Sequence, residues 1–238
     1  MRFLVCGSWR QALGVVLVAC GPLVASADEG LEWIERMNQA LVSRNYSGTF
    51  LHERGGQSES LQVHHRVRGG QISERLASLD GSGREFIRRG EEVIYVLPDQ
   101  QRLISERRPR NASLLPRFPQ LDERSAGLYV VSPLTRTRLT ARDVRLVSIT
   151  PRDPFRYGYR AWIDSRTHLP LKTELFDNEG NVLERVTFTS LSLLRDLPDE
   201  AFNPAVDTSA FQQVRLEPPR PRIQRVTGPQ VWNVQSLP

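Results

Sequence analysis

The chain has 238 residues, with 32 basic against 27 acidic side chains and a formal net charge of +5, which leaves room for one sizeable core and an appended smaller domain. Apolar residues make up 39% and charged ones 25%, excluding a disordered chain, and every basic residue except Lys172 is an arginine. Both cysteines, Cys6 and Cys20, lie in the first twenty residues, so the remainder has no disulfide, thiolate nucleophile or sulfur-ligated metal site.

The first element is a leader. Arg2 and Arg10 give Met1 to Ala27 a positive start, Ala12 to Cys20 an apolar middle, and Ala25-Ser26-Ala27 a small-x-small cleavage site before Asp28. Cleavage between Ala27 and Asp28 removes two arginines and no acid, so the mature balance is 30 basic to 27 acidic, or +3. The stretch from Ala12 to Ala27 is broken by Gly21-Pro22 and is shorter than the ~20 apolar residues of a spanning helix. A second processing route stays open: Leu17 to Gly21 resembles a bacterial lipoprotein box in which Cys20 becomes the acylated first residue. Either route takes the protein out of the cytoplasm. Export, together with the lack of any run of five basic residues, argues against nucleic-acid binding.

Leu31, Ile34, Met37 and Leu41 recur at three- and four-residue spacing, which predicts an amphipathic helix over Leu31 to Arg44 that stops at Asn45. The period then changes. Tyr46–Glu53, Ser60–Val67, Ile72–Leu79, Arg84–Arg88, Glu92–Leu97 and Gln101–Glu106 have strand length and are divided by turn residues such as Gly55-Gly56, Gly69-Gly70 and Pro98-Asp99, the pattern of an antiparallel meander. Pro109 to Pro119 reads as a long loop and Leu121 to Val131 as a return to helix beside the sheet. Strands follow at Val144–Thr150, Tyr157–Asp164, Leu171–Asp177 and Val182–Leu193, so roughly ten strands wrap against one or two helices. Val93 to Leu97 is apolar on both alternation classes, so both sheet faces need a cover: helices in the concavity, and a second domain or partner outside. From Pro198 the pattern fades; Pro218 to Pro221 reads as a linker and Val231 to Val234 as the first strand of something else. The expected organisation is a β-domain over 28–203, a linker over 204–230 and the start of a second, largely missing C-terminal domain over 231–238.

No HExxH, GxSxG, P-loop or GxGxxG occurs. His64 and His65 are adjacent in an expected strand and point to opposite faces, poor geometry for sharing one metal. Acidic neighbours such as Glu91-Glu92, Asp122-Glu123 and Asp199-Glu200 sit beside turns, where adjacency does not make a catalytic carboxylate pair. The expectation is no enzyme, no cofactor and no metal.

The stretch Pro151-Arg152-Asp153-Pro154-Phe155-Arg156-Tyr157-Gly158-Tyr159-Arg160-Ala161-Trp162-Ile163-Asp164, followed by Thr167-His168-Leu169-Pro170-Leu171-Lys172 and by Asp177-Asn178-Glu179-Gly180, resembles the RseB/MucB family of periplasmic negative regulators of the sigma-E-type envelope stress response. Asn45 to Phe50 after the first helix fits the same family. The tryptophan-x-aspartate, leucine-proline and glycine-turn order is also distantly similar to the lipoprotein-carrier fold. The resemblance implies an α+β fold, a curved antiparallel sheet forming an unclosed β-barrel with a helical lid. It further implies a periplasmic protein that binds the periplasmic segment of an inner-membrane anti-sigma factor of RseA/MucA type and shields it from site-1 proteolysis. Lipopolysaccharide or lipoprotein acyl chains would release the shield. Strand alternation selects Phe50, Val63, Tyr95, Leu97, Tyr159 and Ile163 as candidates to line an apolar lipid cavity, although alternation does not separate a cavity from a filled core. A lipid or lipoprotein carrier is the second functional reading and an exported hydrolase the third. A homo-oligomer is neither required nor excluded.

Overall fold

The computed structural model describes residues 27–109, 114, 115, 118, 121 and 127–217. Residues on the leader side of Ala27, and the expected strand near Trp232, lie outside the described residues.

Helix α1 spans Ala27–Ser43, beginning four residues before the expected Leu31. Trp33, Ile34, Met37, Ala40 and Leu41 form its buried stripe, and full burial of each large apolar side chain stabilises by roughly 1.5–3 kcal/mol. Gly30 lets the first turn sit against the sheet: a Cβ there would lie 2.8 Å from Val131 Cγ1 and 3.2 Å from the Ser132 carbonyl. Asn45, the expected stop, ties the helix exit to two other segments. Its Oδ1 accepts the Val67 N–H at 2.8 Å, and its Nδ2 donates to the Arg195 carbonyl at 2.9 Å.

Thirteen strands among the described residues make one sheet: β1 Tyr46–Arg54, β2 Gln57–Arg68, β3 Gln71–Ser78, β4 Glu85–Arg89, β5 Glu92–Leu97, β6 Arg102–Arg107, β7 Tyr129–Val131, β8 Thr135–Leu139, β9 Arg142–Pro151, β10 Gly158–Asp164, β11 Pro170–Phe176, β12 Val182–Leu193 and β13 Gln212–Leu216. Their order is β13-β6-β5-β4-β3-β2-β1-β12-β11-β10-β9-β7, with β8 also paired to β9. The path does not close. Two meanders, β1–β6 and β9–β12, therefore meet along a single seam where β1 pairs with β12 from Tyr46↔Leu193 to Arg54↔Glu184. The sheet is curved, and α1 lies on its inner face. All pairings are antiparallel except β13 with β6, which is parallel.

Three differences from the sequence reading have physical causes. Tyr129 to Val131 is a strand, not helix: Tyr129 and Val131 pack on the core while the intervening Val130 is exposed, the alternation of an edge strand pairing with β9. Strand β8, Thr-Arg-Thr-Arg-Leu, is almost wholly exposed and so carries no apolar alternation to read. Strand β13 falls inside the expected linker for the same reason.

The outer face of β4 and β5 is covered, with Ile87 and Val96 buried there, whereas the inner face is only half-closed at Phe86 and Tyr95. That cover is the chain's own segment 194–211, where the sequence pattern calls for a second domain or partner; it crosses β2 to β4 as a strap and leads into β13 at the sheet edge. Phe202 is buried beneath the Arg66 guanidinium at 4.7 Å. Arg66 donates to the Leu197 carbonyl at 2.7 Å, Arg89 to the Phe202 carbonyl at 3.1 Å, and the Ala205 N–H to Glu85 Oε1 at 2.9 Å.

The corner between β10 and β11, which carries the motif from Asp164 to Pro170, is built on one carboxylate. Asp164 Oδ1 accepts the N–H groups of Arg166 and Thr167 at 2.9 and 2.8 Å and the Thr167 hydroxyl at 3.1 Å. Burial pushes the Asp164 carboxyl up, but these bonds and the nearby Arg142 outweigh it and hold the group below the usual aspartate range.

Candidate functional site

Cross-strand register lines up the inner face. Gly48, Val63, Leu76, Phe86, Tyr95 and Ile104 are successive partners from β1 to β6 and form one row, with Val214 of β13 after Ile104. Val63 and Leu76 are buried, whereas Phe86, Tyr95, Ile104 and Val214 are only half-buried, so the row opens toward the β13 edge.

The six cavity candidates separate along this surface. Phe50 and Val63 are fully packed in the cluster that includes Ala40, Leu41, Leu76 and Val186. Ile163 is buried in a second cluster with Trp33, Ile34 and Met37, and Tyr159 packs on its edge against Phe118 at a ring distance of 5.5 Å. Tyr95 and Leu97 lie farther out on β5, half-buried, with the Tyr95 ring edge-on to Phe86 at 5.3 Å. The structure thus groups the candidates into two filled clusters and one half-open strand. An apolar hollow between Leu41, Leu115, Val186 and Phe188 measures about 20 Å³, enough for roughly one water and far short of an acyl chain.

One row further along, the inner face turns polar. Tyr46, His65, Glu74 and Arg88 are successive cross-strand partners. The side chains of His65, Glu74 and Arg88 are each no more than 2% exposed. Tyr46 stacks on His65 at 4.7 Å, His65 Nε2 lies 3.8 Å from Glu74 Oε1, and Arg88 Nη1 pairs with Glu74 Oε2 at 3.3 Å. The ladder also bonds two described residues that follow β6: Arg88 Nη2 donates to the Pro109 carbonyl at 3.3 Å, and Glu74 Oε2 accepts the Leu114 N–H at 3.2 Å. Buried charges persist only when paired and hydrogen-bonded, and these are. Sequence reading missed the ladder because only register brings four separate strands' residues into line.

Beside it, at the open end, the Tyr95 hydroxyl donates to Glu106 Oε1 at 2.5 Å, and Arg108 donates to both Glu106 and the Tyr95 oxygen at 2.5 Å. The bond from Tyr95, with help from Arg108, holds the Glu106 carboxyl below its usual range, while burial and that same bond push the Tyr95 phenol up. On β10 to β12, Glu174 gathers Lys172 at 2.8 Å, Arg185 at 3.0 Å and Arg160 at 3.3 Å. Burial alone would raise the Glu174 carboxyl, but these cations lower it. His65 points inward and is buried; burial, with Arg75 nearby, lowers the adjacent His64. No group of three His, Cys, Asp or Glu side chains suited to a metal occurs among the described residues, and no helix among them is long and apolar enough to cross a membrane.

A curved, unclosed sheet with a helix on its inner face, an apolar row and a buried charged ladder defines an α+β protein of the lidded open-barrel class. Residues 29–206 match the MucB/RseB N-terminal domain model, and the chain belongs to the MucB/RseB family. It is 31% identical over 185 residues to the Sigma factor AlgU regulatory protein MucB of Pseudomonas aeruginosa, covering 74% of this chain and 56% of that one. The chain spans about half the length of the curated relatives it matches. A crystal structure of MucB superposes with a TM-score of 0.62 at 30% identity, covering 79% of this chain and 66% of that one. The complex structure of Pseudomonas aeruginosa MucA/MucB gives 0.59 at 27% identity, covering 74% of this chain and 60% of that one.

Proposed function

We propose that this chain is a periplasmic regulatory binding protein that engages the periplasmic segment of a membrane anti-sigma factor, shields it from site-1 proteolysis, and has no catalytic role. The supporting observation is its likeness to the MucB of the MucA/MucB complex over 74% of its length. Lipid-bearing stress signals, lipopolysaccharide or lipoprotein acyl chains, release the partner in this reading. Because the inner face is filled around Phe50, Val63 and Ile163, an acyl chain enters only where the packing opens, next to Phe86, Tyr95 and Ile104.

The test is a pull-down of a purified anti-sigma periplasmic segment by this chain, followed by timed site-1 proteolysis of the segment. Binding with slowed cleavage that a lipid analogue reverses is the expected result. An unprotected segment rejects the shielding role, and protection that lipid leaves unchanged rejects the release step.

A further inference from the structure

The outer face carries a groove of about 750 Å³ between the strap, the β2–β3 and β4–β5 turns, and β13. Arg66, Arg89, Arg107 and Arg215 line it, against the acids Glu91, Glu92 and Asp199. Two of these acids are already engaged, Asp199 with Arg66 at 2.6 Å and Glu91 with Arg107 at 2.6 Å. Arg66 is buried against Phe202 and serves the strap. Arg89 bonds a carbonyl and the Asn203 amide oxygen, with no carboxylate within 4.0 Å among the described residues. Arg215 is exposed and has no ion pair among them. The Arg107–Glu91 pair is exposed on both sides, so it is worth little and can be exchanged.

Register fixes the spacing of the Cα positions that carry the three accessible guanidinium groups. Arg89 pairs across Glu92 to Arg107, two strands away and hence ~10 Å. Arg215 lies on the next strand, opposite Ser105, two positions along from Arg107 and so about 8 Å farther. The three positions make a bent line spanning about 16 Å end to end, too long for one phosphate, which needs converging donors, but matching about five residues of extended chain at ~3.3 Å each. We infer that this groove binds an extended acidic polypeptide segment with carboxylates about three residues apart. The assignment goes beyond the proposed shielding role and does not depend on it.

The probe is a short fluorescein-labelled Gly/Ser peptide with an aspartate at every third position, titrated by anisotropy against the full chain beside its asparagine counterpart. The aspartate peptide is expected to bind about tenfold tighter at low salt, with the preference shrinking as salt rises. Arg107→Gln and Arg215→Gln, on exposed side chains, should each weaken it about three- to fivefold with unchanged melting temperature. Arg89→Gln is read only alongside its melting curve, since Arg89 also holds the strap. Equal binding of the two peptides, or full binding by both exposed variants, overturns the inference. So does displacement by inorganic pyrophosphate at lower concentration than by unlabelled aspartate peptide, which would mark a compact-anion site.

Discussion

The two faces of the sheet are covered in opposite ways. Inside, the apolar stripe of α1 packs against β2, β7, β9 and β10, and the charge on β2 to β4 is confined to a ladder no more than 2% exposed. Outside, the strap buries Leu197 and Phe202, and otherwise hangs on Arg66, Arg68 and Arg89 reaching its carbonyls and aspartates. Apolar contact resists salt and acid, whereas exposed ion pairs are screened by the one and neutralised by the other. The outer cover should therefore loosen under conditions that leave the inner one intact.

The largest effect is expected at the inner ladder. Glu74→Ala removes the carboxylate that Arg88 pairs with in a site no more than 2% exposed and should cost about 3–5 kcal/mol, read as a lowered denaturant midpoint; a loss under about 1 kcal/mol would show that the ladder is not a stability element. Phe202→Ala should cost about 3–5 kcal/mol by opening a cavity under the strap, against about 2–5 for Met37→Ala on the inner face. Comparable values would place both covers in one cooperative unit. A much smaller loss for Phe202→Ala would make the strap a separately opening layer.

Acid provides a milder test. Hydrogen bonds from Arg66 to Asp199 and from Arg68 to Asp196 hold both carboxyls below the usual aspartate range. A depressed native pKa gives stability that is complete above the unfolded value of about 3.9 and is lost as pH falls through the native value. Hydrogen exchange at the Ala205 amide should thus be flat from neutral pH to about 4, after intrinsic-rate correction, and rise below it before the helix amides of α1 do. The smallest expected effect is Arg68→Gln, a barely measurable shift of the denaturant midpoint, since both its ion pairs are exposed.

What the sequence revealed follows the same division. The stripe Ile34, Met37 and Leu41, the hairpin turns and the two-sided pattern of Val93 to Leu97 are periodic signals, and each appears in the structure where periodicity puts it. The family was legible from the run between Pro151 and Gly180. The strap, β13 and the ladder were not. Segment 194–211 has no period because its attachments are irregular and mostly polar, and His65, Glu74 and Arg88 look like ordinary strand polar residues until register stacks them. The arginine groove stayed hidden for the same reason, its members lying on β2, β4, β6 and β13.

The seam between β1 and β12 has a kinetic consequence. Each meander is made of neighbouring hairpins that form on a microsecond scale, but Tyr46 must find Leu193, 147 positions later. That search bears the full loop-closure entropy before any pairing rewards it. Refolding should accordingly show two fast local collapses followed by one slower, rate-limiting zip. Gly48 sits on that seam, where a Cβ would come within 2.5 Å of the Ser190 carbonyl. Gly48→Ala should slow the zip while leaving the separate collapses unchanged, making the joint between the two meanders the step that sets how fast the protein becomes whole.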